Sequence, residues 1–320
     1  MADARRDILP RMVSRIASGM REDERTLPPK TSVAGQAVPT PAPRRELGFP
    51  PEILEPLYLF QSDKELKQHK RYAEAKAGNE DAAIQLIVDL ALPLCNQLAE
   101  CIDNGKVPKD FIVVAPHARE ASGDNAIPQV IAAMLTLIGG ELDEDIVQTT
   151  KVYHTGADPM ERLNARPSFH GKIVRGANYV LVDDVTTLGG TLCDLSDFIR
   201  RGGGNPVAAI VLVNASRSGK LYPLQKTVAL LEERFGNDIR EIFNIEPGAL
   251  TCDEAQYLIG FRSAEEIRSR SAQAREKTDL RLRAKGIRLD ERERPQPLKR
   301  PHKKFWIHRT GYRVGRGRKK

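Results

Sequence analysis

The sequence predicts an α/β protein: a mainly parallel sheet flanked by helices, with helical N- and C-terminal additions. Three observations predict it. Short apolar runs at 111–116 (FIVVAP), 179–184 (YVLVDD) and 206–215 (PVAAIVLVNA) are rich in β-branched residues and lack polar alternation, as strands buried on both faces do. Helical stretches with glycine stops, 124–140 and 191–204, lie between them. The 320 residues are 40% hydrophobic and 29% charged, which allows a sizeable core.

In chain order, Ile8, Leu9, Met12, Val13 and Ile16 fall at helical spacing and predict a short amphipathic helix. Residues 26–50 hold six prolines and few large apolar side chains, so residues 1–50 read as a short helix plus a linker. A main α/β domain is expected over 51–245, its first part (51–80) forming a hood. Residues 63–103 look helical, with Pro93 a kink. The broad apolar face on 81–102 suits either the core or the interface of a homodimer. After the strand at 111–116 and the helix at 124–140, residues 145–154 predict another strand. The stretch 155–171 is too rich in breakers for an element. The strand at 179–184, helix at 191–204 and strand at 206–215 complete the core, and 226–236 predicts a helix. A helical extension over 246–290 opens on the capping box Thr251-Cys252-Asp253-Glu254 and continues in a charged helix over 264–285. Residues 291–320 are expected to be a basic, disordered tail.

Charge is concentrated at that end. Residues 297–320 carry ten Lys/Arg and no Asp/Glu, more than the chain's net +7, so the remainder is slightly acidic. Such a segment can contact the phosphates of nucleic acid, with Trp306 and Tyr312 available for stacking. Nine Phe, seven Tyr and one Trp are too few for a stacking-based RNA-binding sheet to be the main business. No run of 18 apolar residues predicts a transmembrane helix, and no apolar core with a cleavage site predicts a secretory signal, so the expected location is cytoplasmic. Cys95, Cys101, Cys193 and Cys252 show no zinc spacing and read as reduced thiols. No G-x-G-x-x-G follows the first strand, and the glycine loop lacks a Gly-Lys-Ser/Thr ending; dinucleotide-dependent dehydrogenases and Walker-type NTPases are thereby excluded.

The informative segment is Tyr179–Leu192, YVLVDDVTTLGGTL. A buried strand delivers Asp183 and Asp184 to its C-terminal end, where ligands of parallel sheets bind. Thr187, Leu188, Gly189, Gly190 and Thr191 then turn into a helix, whose N-terminal N–H groups and dipole suit a phosphate. The acids suit hydroxyls, or waters on a magnesium ion. The segment asks for a ligand carrying a phosphate and a diol a few ångströms apart.

These residues resemble the phosphoribosyl pyrophosphate (PRPP) signature of type I phosphoribosyltransferases over roughly residues 85–235. The resemblance implies that fold, with Asp183 and Asp184 holding the ribose hydroxyls and residues 187–191 holding the 5-phosphate. Leu188 departs from the family's Thr or Ser and removes one hydroxyl donor. By position, the loop His117–Asp124 is similar to the pyrophosphate loop, with Arg119 facing the leaving group. Residues 154–171 fall where the family has a mobile catalytic loop. Their Arg162, Arg166 and Phe169 are similar to the pattern of competence-associated phosphoribosyltransferase-like proteins. His117, His154 and His170 near this face read as ordinary loop histidines.

The resemblance further implies a glycosyltransferase of nucleotide metabolism. PRPP would arrive with Mg2+, held without direct protein ligands and through water to Asp183 and Asp184. Arg119, Arg162 and Arg166 would neutralise pyrophosphate while an unidentified nitrogenous acceptor attacks the ribose. Candidate acceptor pockets are residues 50–75 and 214–220. Two alternatives accompany it: a non-catalytic PRPP- or nucleotide-sensing regulator, and a nucleic-acid-associated accessory protein of DNA uptake or transfer that uses the basic tail.

Overall fold

The computed structural model describes residues 43–286 except 117, 118, 121, 122 and 151, with backbone alone at 119, 120, 123 and 124. The predicted N-terminal helix, the first part of the linker and the basic tail lie outside the described residues.

The chain enters through four helices, α1 (Lys64–Gln68), α2 (Tyr72–Lys76), α3 (Glu80–Leu90) and α4 (Leu92–Asp103). The last two meet at a 64° bend beside Pro93, which occupies the first turn of α4, where its missing N–H costs nothing. Strand β1 (Ile112–Val114) follows, then the short pair β2 (Arg119–Glu120) and β3 (Gly123–Asp124), and helix α5 (Ile127–Leu135). Next come β4 (Glu141–Leu142), β5 (Val147–Gln148), α6 (Pro159–Asn164), β6 (Phe169–His170) and the long strand β7 (Asn178–Thr186). Helix α7 (Gly190–Arg201), β8 (Asn205–Asn214), α8 (Gln225–Phe243), a 3-10 turn (Pro247–Ala249), α9 (Cys252–Ile259) and α10 (Ala264–Ala284) complete the described chain.

The main sheet has the order β4-β1-β7-β8 and is parallel throughout. Helices cover both faces, so the α/β class expected from the sequence is what the chain adopts. Alternation along β7 explains the two layers: Val180 and Val182 pack with α3, α4 and α5, while Tyr179 and Leu181 pack with Leu192, Leu195 and Ile199 of α7. β8 divides the same way, with Ile210 and Leu212 on the first face and Ala209 and Val211 on the second. Residues 57–60 run along the free edge of β8, where Leu57 N–H donates to Ala209 O (2.8 Å) and Asn214 N–H to Phe60 O (2.8 Å). A third apolar cluster joins Met160 and Leu163 of α6 to α8, α9 and α10.

Three elements differ from the sequence reading. Among the described residues of 145–154, only Val147 and Gln148 form a strand, and it pairs antiparallel with β6 outside the main sheet. The Gln148-Thr149-Thr150 run offers no apolar set to bury, and the sheet's edge is instead β4, two residues long. The breaker-rich stretch 155–171 contains α6. Pro159 starts that helix rather than breaking it, and Asp158 and Glu161 form a full capping box. Helix α8 passes through Gly236 and ends at Asn244, which adopts the left-handed conformation (φ 57°).

The topology opens a cleft. The crossover from β1 leads outward to β4, and that from β7 leads the other way to β8, so β1 and β7 part at their C-terminal ends. Register widens the gap: β1 stops at Val114 opposite Leu181, so residues 182–186 of β7 have no strand neighbour on that side among the described residues.

Candidate functional site

A cleft of about 230 Å3 occupies this crevice. Asp183, Asp184, the loop 187–191, Arg162 and Arg166 line it together with His154, Asn125 and Lys76. Most of the residues singled out from sequence thus come together. Arg119 lies in β2, at one of the positions described by backbone alone.

The acid pair sits on the overhanging end of β7. With β1 gone, its backbone donors turn to side chains: Asp184 N–H donates to Asp183 Oδ1 (2.8 Å) and Val185 N–H to Asp184 Oδ1 (2.9 Å). Lys76 Nζ, at the end of α2, lies 2.8 Å from Asp184 Oδ2. The two carboxyls therefore behave oppositely. Burial, and then the neighbouring Asp184 charge, raise Asp183 to about 8. Burial pushes Asp184 upward too, but the Lys76 ammonium overrides it and holds that carboxyl below its ordinary value. The surroundings thus favour the protonated form of Asp183 and the ionised form of Asp184.

The glycine loop is braced from beneath. Gly189 precedes α7 in the left-handed conformation (φ 79°), which glycine adopts without strain, and gives the helix no capping side chain. The first N–H groups of a helix lack intrahelical partners, so an anion in the cleft is a fitting acceptor for them. Thr251 Oγ1 donates to Leu188 O, tying the loop to the capping box of α9. Leu188, which departs from the family's hydroxyl residue, thus contributes a backbone carbonyl already engaged from below. Gly190 leaves room for a carboxylate: a Cβ there would come within 2.8 Å of Glu254 Oε1.

Below the loop lies a buried ionic network. Asp194 accepts from Arg45 Nε (2.8 Å) and from Arg166 Nη2 (2.8 Å). Arg45 Nη1 also donates to Glu254 Oε2 (2.6 Å), and Arg166 Nη1 to Phe243 O (2.7 Å). Arg45 is 0% exposed, although it lies in the proline-containing stretch expected to be linker. Burial would lower its pKa, but Asp194 and Glu254 drive it well above the ordinary arginine value. Burial would likewise raise Asp194, and Arg166 and Arg45 hold it below the carboxylate range. Arg166 lines the cleft, yet its donors serve this network.

The segment expected to be a mobile loop is fastened by α10. Asn164 Nδ2 donates to Ser271 O (2.9 Å), Arg281 Nε to Glu161 Oε1 (3.1 Å) and Lys277 Nζ to Asp158 Oδ2 (2.9 Å). Arg162 donates inward to Ala157 O (3.1 Å) and His154 O (3.0 Å). His154 Nε2 lies 2.7 Å from Ala165 O. Burial, then Arg162, lower its pKa to about 4, so the neutral imidazole donates that hydrogen bond at neutral pH.

Lys76, Arg45 and Glu254 belong to the site or its support and carry no site signal of their own in the sequence. Lys76 sits in the charged run KELKQHKRYAEAK, where every lysine resembles a solvated one. Only the capping box pointed to Glu254.

No protein-family model matches the chain. The chain is similar to Protein TraN of Escherichia coli, 34% identical over 225 residues that cover 68% of this chain and 49% of TraN. It is also similar to an uncharacterized protein of Haemophilus influenzae, 38% identical over 133 residues, which are 41% of this chain and 29% of that protein. The chain thus spans about half the length of TraN and less than a third of the second relative. These findings correct the resemblance drawn from the β7 segment. The similarity leads to TraN, and no phosphoribosyltransferase model matches. Phosphoribosyl transfer as the chain's function, its assignment to glycosyltransferases of nucleotide metabolism and PRPP as its ligand fall with that resemblance. A strand-acid-acid-glycine-loop unit specifies a ligand geometry, which unrelated functions can share.

Proposed function

We propose that the chain is a nucleic-acid-associated accessory protein of DNA uptake or transfer, which contacts DNA through residues 297–320. The similarity to Protein TraN over 225 residues carries this reading. Charge segregation supports it, since ten Lys/Arg without an acid lie in 24 residues at one end of an otherwise slightly acidic chain. A polycation of this density binds a polyanion by releasing counterions and needs no base contacts to do so.

The test is DNA binding by the full chain and by a chain ending at residue 296, followed by fluorescence anisotropy over a salt series. The full chain should bind with an affinity that falls steeply with salt. The truncation should weaken binding at low salt by on the order of a hundredfold or more and flatten the salt slope by several units. Equal affinities and equal slopes would refute the proposal. A second reading, a nucleotide-sensing role without catalysis, is favoured by one observation: the glycine loop and the acid pair face the same cleft.

A further inference from the structure

Magnesium was the cation expected beside Asp183 and Asp184, and the side chains around the pair do not fit it. Magnesium takes oxygen ligands at about 2.0–2.1 Å in near-ideal octahedral geometry, directly or through its waters. Two of the four carboxylate oxygens here accept backbone hydrogen bonds, and a third, buried Asp184 Oδ2, completes no hydrogen bond but faces a lysine ammonium. Asp183 Oδ1 accepts from Asp184 N–H, Asp184 Oδ1 accepts from Val185 N–H, and Asp184 Oδ2 meets Lys76 Nζ at 2.8 Å.

Lys76 is not a surface lysine that has swung inward. Its side chain is 17% exposed and that of Asp184 5%. Helix α2 is fixed from two directions. Ala75, the preceding residue, is fully buried, and its carbonyl accepts from Ala126 N–H (3.2 Å) at the start of α5. Arg71 Nε, just ahead of α2, donates to Gln85 Oε1 of α3 (2.8 Å). The ammonium is therefore delivered to the acid pair by the packing of the N-terminal helices, at ion-pair distance from Asp184 Oδ2.

We infer that Lys76 is a tethered cation that takes the place of a divalent metal at the acid pair, so that the pair recruits no divalent cation of its own. Its ammonium balances Asp184. This inference does not depend on DNA contact by residues 297–320, and its test uses no DNA.

The probe is Mn2+ alone, titrated into the full-length protein and followed by the electron paramagnetic resonance signal of the free ion. Wild type and Asp184→Asn should bind Mn2+ equally weakly, because the pair is already neutralised. Lys76→Met keeps the length of the side chain and removes the charge. It should bind Mn2+ at least about tenfold more tightly, the scale on which a single adjacent charge acts, and Lys76→Met/Asp184→Asn should lose that gain. Lys76→Arg should behave as wild type. The proposal fails if Asp184→Asn abolishes a Mn2+ site present in the wild type. It fails equally if Lys76→Met, with its circular dichroism spectrum and unfolding midpoint preserved, binds no more tightly than the wild type. The first comparison needs no Lys76 variant, so the inference stays refutable even if Lys76→Met does not fold.

Discussion

Two carboxylate clusters flank the same glycine loop, ten residues apart in sequence, and they are built in opposite ways. Asp194, in the first turns of α7, is buried between two guanidinium groups, Arg45 and Arg166, and Arg45 is shared with Glu254. Asp183, on the overhang of β7, is half-buried beside another acid, with the Lys76 ammonium committed to its neighbour. Local partners lower one carboxyl and raise the other from the same ordinary value. A satisfied buried network fixes geometry. An acid left short of partners beside a cleft is where a ligand can complete the bonding. The Asp194 cluster is therefore the support of the site and the Asp183–Asp184 pair its working surface.

Breaking the support should have the largest effect. Asp194→Ala leaves Arg166 and half of Arg45 without a counter-charge in the interior, which costs about 3–5 kcal/mol. Urea unfolding at neutral pH checks this, and a loss under about 1 kcal/mol would reduce the network to ornament. The pH sign follows from the lowered pKa. Asp194's contribution is complete above the ordinary carboxylate value and is lost as pH falls through its depressed folded value.

The contrast also shows what the sequence could reveal. β7 and its loop were legible because they are local: an apolar run, two acids and two glycines in order specify strand, ligand end and turn whatever the rest does. The three core strands and most helices followed from periodicity for the same reason. The support was not legible. Arg45, Arg166, Asp194 and Glu254 meet across more than 200 residues of chain, and each alone resembles a surface charge. Lys76 likewise reaches Asp184 across more than 100 residues. Helix α6 was hidden for a different reason, since Pro159 signals both a break and a start, and only the reciprocal Asp158–Glu161 bonds decide between them. Family resemblance misled at the level of function, because a ligand-binding turn is shared more widely than a reaction.

A smaller effect should come from the seam between loop and support. In Gly190→Ala the new methyl meets Glu254 Oε1 at 2.8 Å, and Glu254 is itself held by Arg45 and by Thr251 N–H (2.9 Å). Displacing it should cost about 1–3 kcal/mol, the range of overpacking in a filled interior. Gly248→Ala is the matched control: its Cβ meets nothing within 4 Å, and its backbone is not left-handed. That change should stay within about 0.5 kcal/mol. If both glycines tolerate alanine equally in thermal unfolding, Glu254 is free to move and the loop is not braced by it.

The smallest change in stability should come from Asp183→Asn, and its diagnostic is a slope. With a folded value of about 8 against an ordinary value near 4, Asp183 is protonated in the folded chain while the unfolded chain ionises it. Its contribution is intact below about pH 4 and is lost as pH rises through about 8. Asparagine matches the protonated carboxyl in shape, so at pH 5 the variant should lie within about 1 kcal/mol of wild type. Between pH 5 and 8 the wild type should lose stability that the variant retains. His154 works in the opposite sense over part of this window. Its folded value of about 4 lies below the ordinary imidazole value, so it adds stability as pH rises from about 4 to about 6.5. Because His154 is present in both proteins, the difference between their urea midpoints at pH 5, 6, 7 and 8 isolates Asp183. A difference that grows with pH would mark Asp183 as the proton-holding member of the pair. A constant difference would mean that both acids are ionised across the range, and the contrast with Asp194 would disappear.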